Sequence, residues 1–302
     1  MVKRALLIAV SFLFACSASS SGTDVATSAS DLTEQSDLVS TEDSSVSPSD
    51  VASDGLSQGE VGSIDVSGGD GTVSPSSLVG TWAQMQHSAT VTDSPLGGGT
   101  FNTLVHSLHL VVITLEPDGS LMAHHSMCDI QAESDFAQTE TIIPAAYIHS
   151  LEPYSRKVTA NWDTKEFTGA RVTEVKGCVL DDPENDDLPT SEDDTRVMDQ
   201  DGDGHPGMTL QISGLINGDL YVVERNWTEL TGTFVNQWRI EGLLSWGVEQ
   251  NKLGSSNPLL SMDIASWVDP DPNKSTFEMA RVDDGDDCAE LIAHQGDLFS
   301  SP

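Results

Sequence analysis

The chain has 302 residues and carries 48 Asp and Glu against 13 Lys and Arg, a formal net charge of −35 at pH 7. That balance excludes nucleic acid and anionic lipid surfaces as electrostatic partners and points to cations instead. With four cysteines, one of them at position 16, the chain has three others from which to draw a disulfide.

Residues 1–16, MVKRALLIAVSFLFAC, place Lys3 and Arg4 ahead of a mostly apolar run from Ala5 to Ala15. That is the layout of a secretory signal. At ~1.5 Å per residue the run is too short for a helix that must cross ~30 Å of hydrocarbon. It ends in Leu13-Phe14-Ala15-Cys16, which resembles the lipobox of bacterial lipoproteins. The resemblance implies lipidation of Cys16 as the first mature residue. With Ser17 rather than Asp after it, the resemblance further implies a cell outer membrane lipoprotein, facing the periplasm or the surface. The membrane partner would then be reached through an acyl anchor and not through a spanning segment.

Residues 17–77 contain no aromatic residue and no Lys or Arg, and Ser, Gly, Thr and Asp dominate. Such a segment cannot bury enough apolar surface to offset its ordering entropy, so it is expected to be a disordered acidic tether. A Gly/Ser-type coil of this length spans roughly 40 to 50 Å.

All six Trp fall in residues 78–302, which are enough for one domain with a sizeable core. This part reads as strands and turns. Thr103 to Leu115 and Ser120 to Ile130 flank the turn Glu116-Pro117-Asp118-Gly119, and Met208 to Ile216 and Leu220 to Trp227 flank Asn217-Gly218-Asp219. Both read as hairpins, the second on the strongest short-range signal there is. Further strands are expected at 79–91, 155–162, 166–176, 230–248, 259–267 and 275–283, with helical pieces only near 144–150 and 287–294. The fold class is all-β, an antiparallel barrel with a short C-terminal helix or else a β-sandwich. Leu78-Val79-Gly80-Thr81-Trp82 resembles the opening of lipocalin-type barrels, where a Gly-x-Trp on the first strand packs its indole across the closed end. The resemblance implies a basic residue over that indole from near the last strand, a role that falls on Arg281, with cation–π attraction as the reason. As a binding protein, such a barrel would be expected to take a small apolar ligand in its interior or at its rim.

Cys128, Cys178 and Cys288 lack the spacings of zinc sites, and in an exported chain they give one disulfide and one odd thiol. Three pairings are possible: Cys128 with Cys288 would tie an early strand to the chain end, while Cys178, beside the acidic loop, could equally be the partner.

The acidic loop 181–207 holds Asp199-x-Asp201-x-Asp203-Gly204, which resembles the calcium loops of EF-hands, dockerins and thrombospondin type 3 repeats. Alternate carboxylates can converge on one ion, Gly204 takes the sharp turn, and the His205 carbonyl can serve as a further ligand. An all-oxygen set suits calcium. The twelfth position is Leu210 rather than Glu, so the missing ligand is expected from Asp193, Asp194 or Glu192. His106 and His109 face opposite ways on a strand, as do the adjacent His124 and His125. No Gly-x-Ser-x-Gly elbow is present, and carboxylates are too abundant to single out a glycosidase pair. The functional expectation is a calcium-stabilised binding or structural module, with an extracytoplasmic hydrolase using barrel-mouth carboxylates, or an adhesion module without a pocket, as alternatives.

Overall fold

The computed structural model describes residues 77–94, 99–136, 139–214 and 216–299. The expected signal segment with Cys16, and the tether up to residue 76, lie outside the described residues.

The described chain is all-β with a few short helical segments. The order is β1 (Gly80–Asp93), β2 (Thr100–Leu115), β3 (Leu121–Ser134), β4 (Thr139–Ile142), helix α1 (Ala145–His149), β5 (Tyr154–Asn161), β6 (Glu166–Lys176) and β7 (Met208–Gly214). It continues with β8 (Gly218–Asn236), β9 (Arg239–Ser255), β10 (Ser266–Val268), β11 (Thr276–Arg281) and helix α2 (Cys288–Leu298). The named strands pair antiparallel in one sheet that closes in a ring, β1–β2–β3–β5–β6–β8–β9–β11 and back to β1. A sandwich would have needed two packed sheets. β7 extends from the first part of β8, β4 follows β7, and β10 pairs with the end of β1.

Local chemistry accounts for most of the elements. Gly119 takes φ +84° in the turn between β2 and β3, where Gly119 N–H and Glu116 N–H close the bend on Glu116 and Ser120 carbonyls. α2 starts on a capping box, with the Asp287 carboxylate accepting from Ala289 and Glu290 N–H and the Glu290 side chain returning to Asp287 N–H. Two expectations need correction. The stretch 230–248 is no single strand: the chain turns at Asn236–Arg239, with the Asn236 side chain accepting from Trp238 N–H. Residues 259–267 instead hold a 3-10 turn at Pro258–Ser261 and only the start of β10, because Pro258 and the Asn257 cap favour a helical turn. The four-residue β4 carries too short a pattern to be read from sequence.

The ring has two interiors in series. Toward one end Trp82, Val111, Ile113, Phe167, Phe234, Ile240, Phe277 and Met279 form a closed apolar core. Their burial supplies the main stabilisation, at about 1.5–3 kcal/mol for each large side chain removed from water. Tyr147, Met208, Leu210, Ile212, Leu220 and Leu260 form a second cluster that joins α1 and β7 to the other end. Cys128 and Cys288 form a disulfide between β3 and the start of α2, and Cys178 is a buried free thiol.

Candidate functional site

Between the two apolar clusters the inward positions turn polar. Strand alternation sends Gln84 and Gln86 of β1, His109 of β2, His125 of β3, Tyr154 and Arg156 of β5, Glu174 and Lys176 of β6, Glu224, Asn226 and Thr228 of β8, and Gln250 of β9 to the same side as the core residues. Gln86, His109, Tyr154, Glu174, Lys176, Glu224, Asn226, Thr228 and Gln250 line a cavity of about 210 Å³, and Arg156 and His125 stand behind its wall. Val105, Met127, Ile130, Leu244, Trp246 and Val248 complete its wall, and Tyr147 of α1 with Leu210 of β7 closes over it.

Cross-strand pairing builds the polar wall. Lys176 stands opposite Glu224 and Glu174 opposite Asn226. The Lys176 ammonium donates to Glu224 Oε1 at 2.8 Å, Gln250 Nε2 donates to Glu224 Oε2 at 3.2 Å, and Asn226 Nδ2 to Glu174 Oε2 at 3.4 Å. Burial alone would weaken the Lys176 ammonium, but Glu224, Tyr147 and Glu174 outweigh it and hold the proton more tightly than usual. The amide oxygens of Asn226 and Gln250 are buried with no hydrogen-bond partner.

Deeper, Arg156 is 2% exposed. Its Nη2 donates to Thr228 Oγ1 at 2.7 Å and Tyr154 Oη at 3.2 Å. Nε and Nη1 have no acceptor. Gly169 gives the stem room, since a Cβ there would stand 3.1 Å from Arg156 Cδ. The Tyr154 ring stacks on His125 at 4.7 Å, and His109 meets His125 edge-on at 5.8 Å. Burial, then the charges of Arg156 and Lys176, pull the His109 pKa down to about 3, and burial with Arg156 pushes His125 well below its usual value. Both rings are neutral, and neither has a partner on either nitrogen. Burial raises the Tyr154 hydroxyl against the opposing pull of Arg156.

The acidic loop between β6 and β7 is tied down at both ends. Cys178 bridges to Val197 and Asp199 to Gly207, while Leu180 and Leu188 pack on Val223. Asp199, Asp201 and Asp203 bring one carboxylate oxygen each within 4.8 Å of the others. Asp199 accepts from Asp203 and Gly204 N–H at 3.1 and 2.9 Å, Asp203 from His205 N–H at 2.8 Å, and Asp201 Oδ2 from Thr209 N–H at 2.8 Å. Asp201 Oδ1 is buried without a partner, and burial raises the Asp201 pKa, with Asp203 and Asp199 adding to the rise against the Thr209 bond. Gly202 and Gly204 take φ +73° and +87°, the turn the motif requires. Asp193 and Asp194 stay outside this carboxylate group. Arg196 holds Asp194 instead, at 3.0 and 2.7 Å, and draws its pKa down to about 2. The His205 ring stacks on Tyr221 at 4.3 Å.

One residue of this motif contacts segments that adjoin the cavity wall. Gln200 Oε1 accepts from Gly177 N–H at 2.7 Å, directly after Lys176, and its Nε2 donates to the Ser150 carbonyl at 3.0 Å, at the end of α1.

At the closed end Trp82 is fully buried, its indole N–H donating to the Leu78 carbonyl at 2.9 Å. Arg281 stands opposite it across β1 and β11, with Cζ 5.3 Å from the ring and Nη2 donating to the Val79 carbonyl at 2.6 Å. Sequence reasoning read only the strand faces of His109 and His125 and passed over Arg156, Lys176, Glu224 and Gln250. Comparison with protein-family models, curated proteins and solved structures finds no match to this chain.

Proposed function

We propose that this chain is an exported, lipid-anchored binding protein, a lipocalin-like and calcium-stabilised β-barrel that holds a small molecule in its interior. The observation that carries the reading is the cavity of about 210 Å³ inside the ring, bounded by apolar side chains and by buried polar groups whose hydrogen-bonding capacity the protein leaves unmet. A purely structural module would fill this volume, because buried polar groups without partners cost about 1–3 kcal/mol each. Ring closure and the packing of Trp82 under Arg281 support the lipocalin-like architecture. The lipobox-like Leu13–Cys16 and the tether support export and anchoring.

Calcium fits the second part of the reading. Asp199, Asp201 and Asp203 supply oxygen only, and the free, buried Asp201 Oδ1 is an acceptor no protein group uses. A calcium ion there would offset most of the charge of three carboxylates on the segment whose Gln200 anchors α1 and the end of β6. A hydrolase acting through Glu174 and Glu224 is the second reading, since both line the cavity. Glu224 is held by Lys176 and Gln250, which favours binding.

Two measurements test the proposal. Trp246 lines the cavity, so toluene or benzamide entering it should change tryptophan fluorescence saturably, and Ala132→Phe, which fills the cavity, should abolish the response. A response unchanged in Ala132→Phe removes the interior site. Melting of the chain with calcium and with chelator should show a higher midpoint with calcium by mass action. An equal midpoint, or a shift that survives Asp201→Ala with Asp203→Ala, removes the metal.

A further inference from the structure

Resting on the interior-binding reading, we infer that the ligand is a small carboxylate with a compact hydrocarbon body, its anionic head received by His109 at the floor of the cavity and held by the charge of Arg156 directly behind Tyr154 and Thr228. Arg156 is the observation that points there. A guanidinium 2% exposed has been taken almost wholly out of water, yet among the described residues no carboxylate comes within ion-pair distance of it. Burying a lone charge is costly, and a methionine or leucine would fill the same space at no such cost. The charge is therefore explained by a partner that the chain does not itself supply.

The guanidinium stands directly behind the cavity wall. Its Nη2 lies between Thr228 Oγ1 and Tyr154 Oη, and both residues line the cavity. Two further donors, Nε and Nη1, are free. His109 also lines the cavity and is neutral, so one of its ring nitrogens carries a proton with no acceptor. Arg156 and Lys176 both act on His109, so the floor lies between two positive charges, only one of which is answered by Glu224. Glu174, the remaining carboxylate of the wall, is held by Asn226.

Size and polarity set the rest of the ligand. A cavity of ~150 Å³ takes benzene, so one of about 210 Å³ takes roughly eight or nine non-hydrogen atoms. Val105, Ile130, Trp246 and Val248 offer an apolar wall for a ring or branched chain. The ligand is thus an amphiphile and not the small apolar molecule expected from the sequence.

Benzoate, benzamide and benzylamine share one frame and differ in charge, which separates head-group recognition from cavity filling. Calorimetric titration of the full chain with each, near neutral pH, should give benzoate roughly ten-fold or more tighter binding than benzamide, as a charge-assisted hydrogen bond provides. Arg156→Gln should erase that preference and leave benzamide binding in place. Equal affinities for benzoate and benzamide, or a preference for benzylamine, would overturn the carboxylate and leave the interior site standing. A benzoate preference that persists in Arg156→Gln would overturn the role of Arg156. Failure of all three probes would overturn the interior site itself. The wild-type series decides the sign of the head group whether or not the variant folds.

Discussion

Acidification should destabilise this protein well before its carboxylates titrate, because two histidines are buried neutral. His109 and His125 lie inside the ring, and their nitrogens make no hydrogen bonds that would favour the charged form. Burial comes first and Arg156 next in lowering both, His109 to about 3 and His125 well below the usual value. In the unfolded chain each takes up a proton near pH 6.5. Between that value and the lower folded one the unfolded state binds more protons, so stability rises with pH and falls as pH drops below about 6.5. Going from pH 8 to pH 5 costs about 1.5 pH units of linkage per histidine, or about 2 kcal/mol each and about 4 kcal/mol together. Any folded pKa below about 4 gives nearly the same figure at pH 5, so the magnitude rests on the unfolded reference and on the two rings staying neutral.

Four kcal/mol is a large part of an ordinary domain's stability of ~5–15 kcal/mol and corresponds to a melting shift of roughly 8–16 °C for this size. His87 adds in the same direction, burial and then His106 drawing it to about 4, with a smaller effect because water still reaches it. Glu278 and Asp201 oppose slightly, since burial raises both. Denaturant unfolding followed by tryptophan fluorescence at pH 8 and pH 5, in about 0.5 M salt to screen the net charge, measures the difference. The double variant His109→Gln with His125→Gln should lose most of the decline. A wild-type decline below about 1 kcal/mol, or a double variant that keeps all of it, would refute the assignment.

Two other substitutions probe the frame. Gly80 has φ +127°, and a Cβ there would stand 2.0 Å from Arg281 Nη2, so Gly80→Ala should cost at least ~2 kcal/mol by denaturant unfolding. Adding Arg281→Met should return only the part due to the clash and not the part due to the backbone. In the cavity wall, Lys176→Met leaves Glu224 buried and unpaired and should cost ~3–5 kcal/mol, whereas Lys176→Met with Glu224→Leu should be neutral or stabilising. A double variant as unstable as the single would mean that the pair is held for stability and not for a ligand.

The all-β class and the hairpins were legible because their signals are local. Glu116–Gly119 and Asn217–Gly218 are turn chemistry between apolar runs, and β6 begins and ends at 166 and 176 as its β-branched alternation predicts. The cysteine count left three pairings open, and the structure selects Cys128 with Cys288. The turn at Asn236–Arg239 was hidden because exposed Val235 and Trp238 continue the apolar pattern through it. The three-carboxylate motif was visible in spacing. Its link to the cavity through Gln200 was not, because that link depends on where α1 comes to rest.

The polar wall itself was illegible for a different reason, which lies in two bulges. On β3 His109 pairs with Met127 and Leu108 with Asp129, so Cys128 is an extra residue. On β6 Gly169 pairs with Leu230 and Val172 with Thr228, so Ala170 and Arg171 stand opposite one residue. A one-residue slip sends every later side chain to the other face. Without the first bulge Asp129, Gln131 and Glu133 would enter the ring in place of Ile130 and Ala132. Without the second, Arg171, Thr173 and Val175 would replace Val172, Glu174 and Lys176, and Arg171 would leave its place over the Trp227 ring outside, 4.2 Å from its centroid. The chemistry of the interior is thus decided by two inserted residues whose neighbours read as unbroken strand. The extra residue on β3 is also the cysteine that bonds to α2, so the disulfide pins the bulge that turns an acidic strand face outward and leaves the cavity its apolar wall.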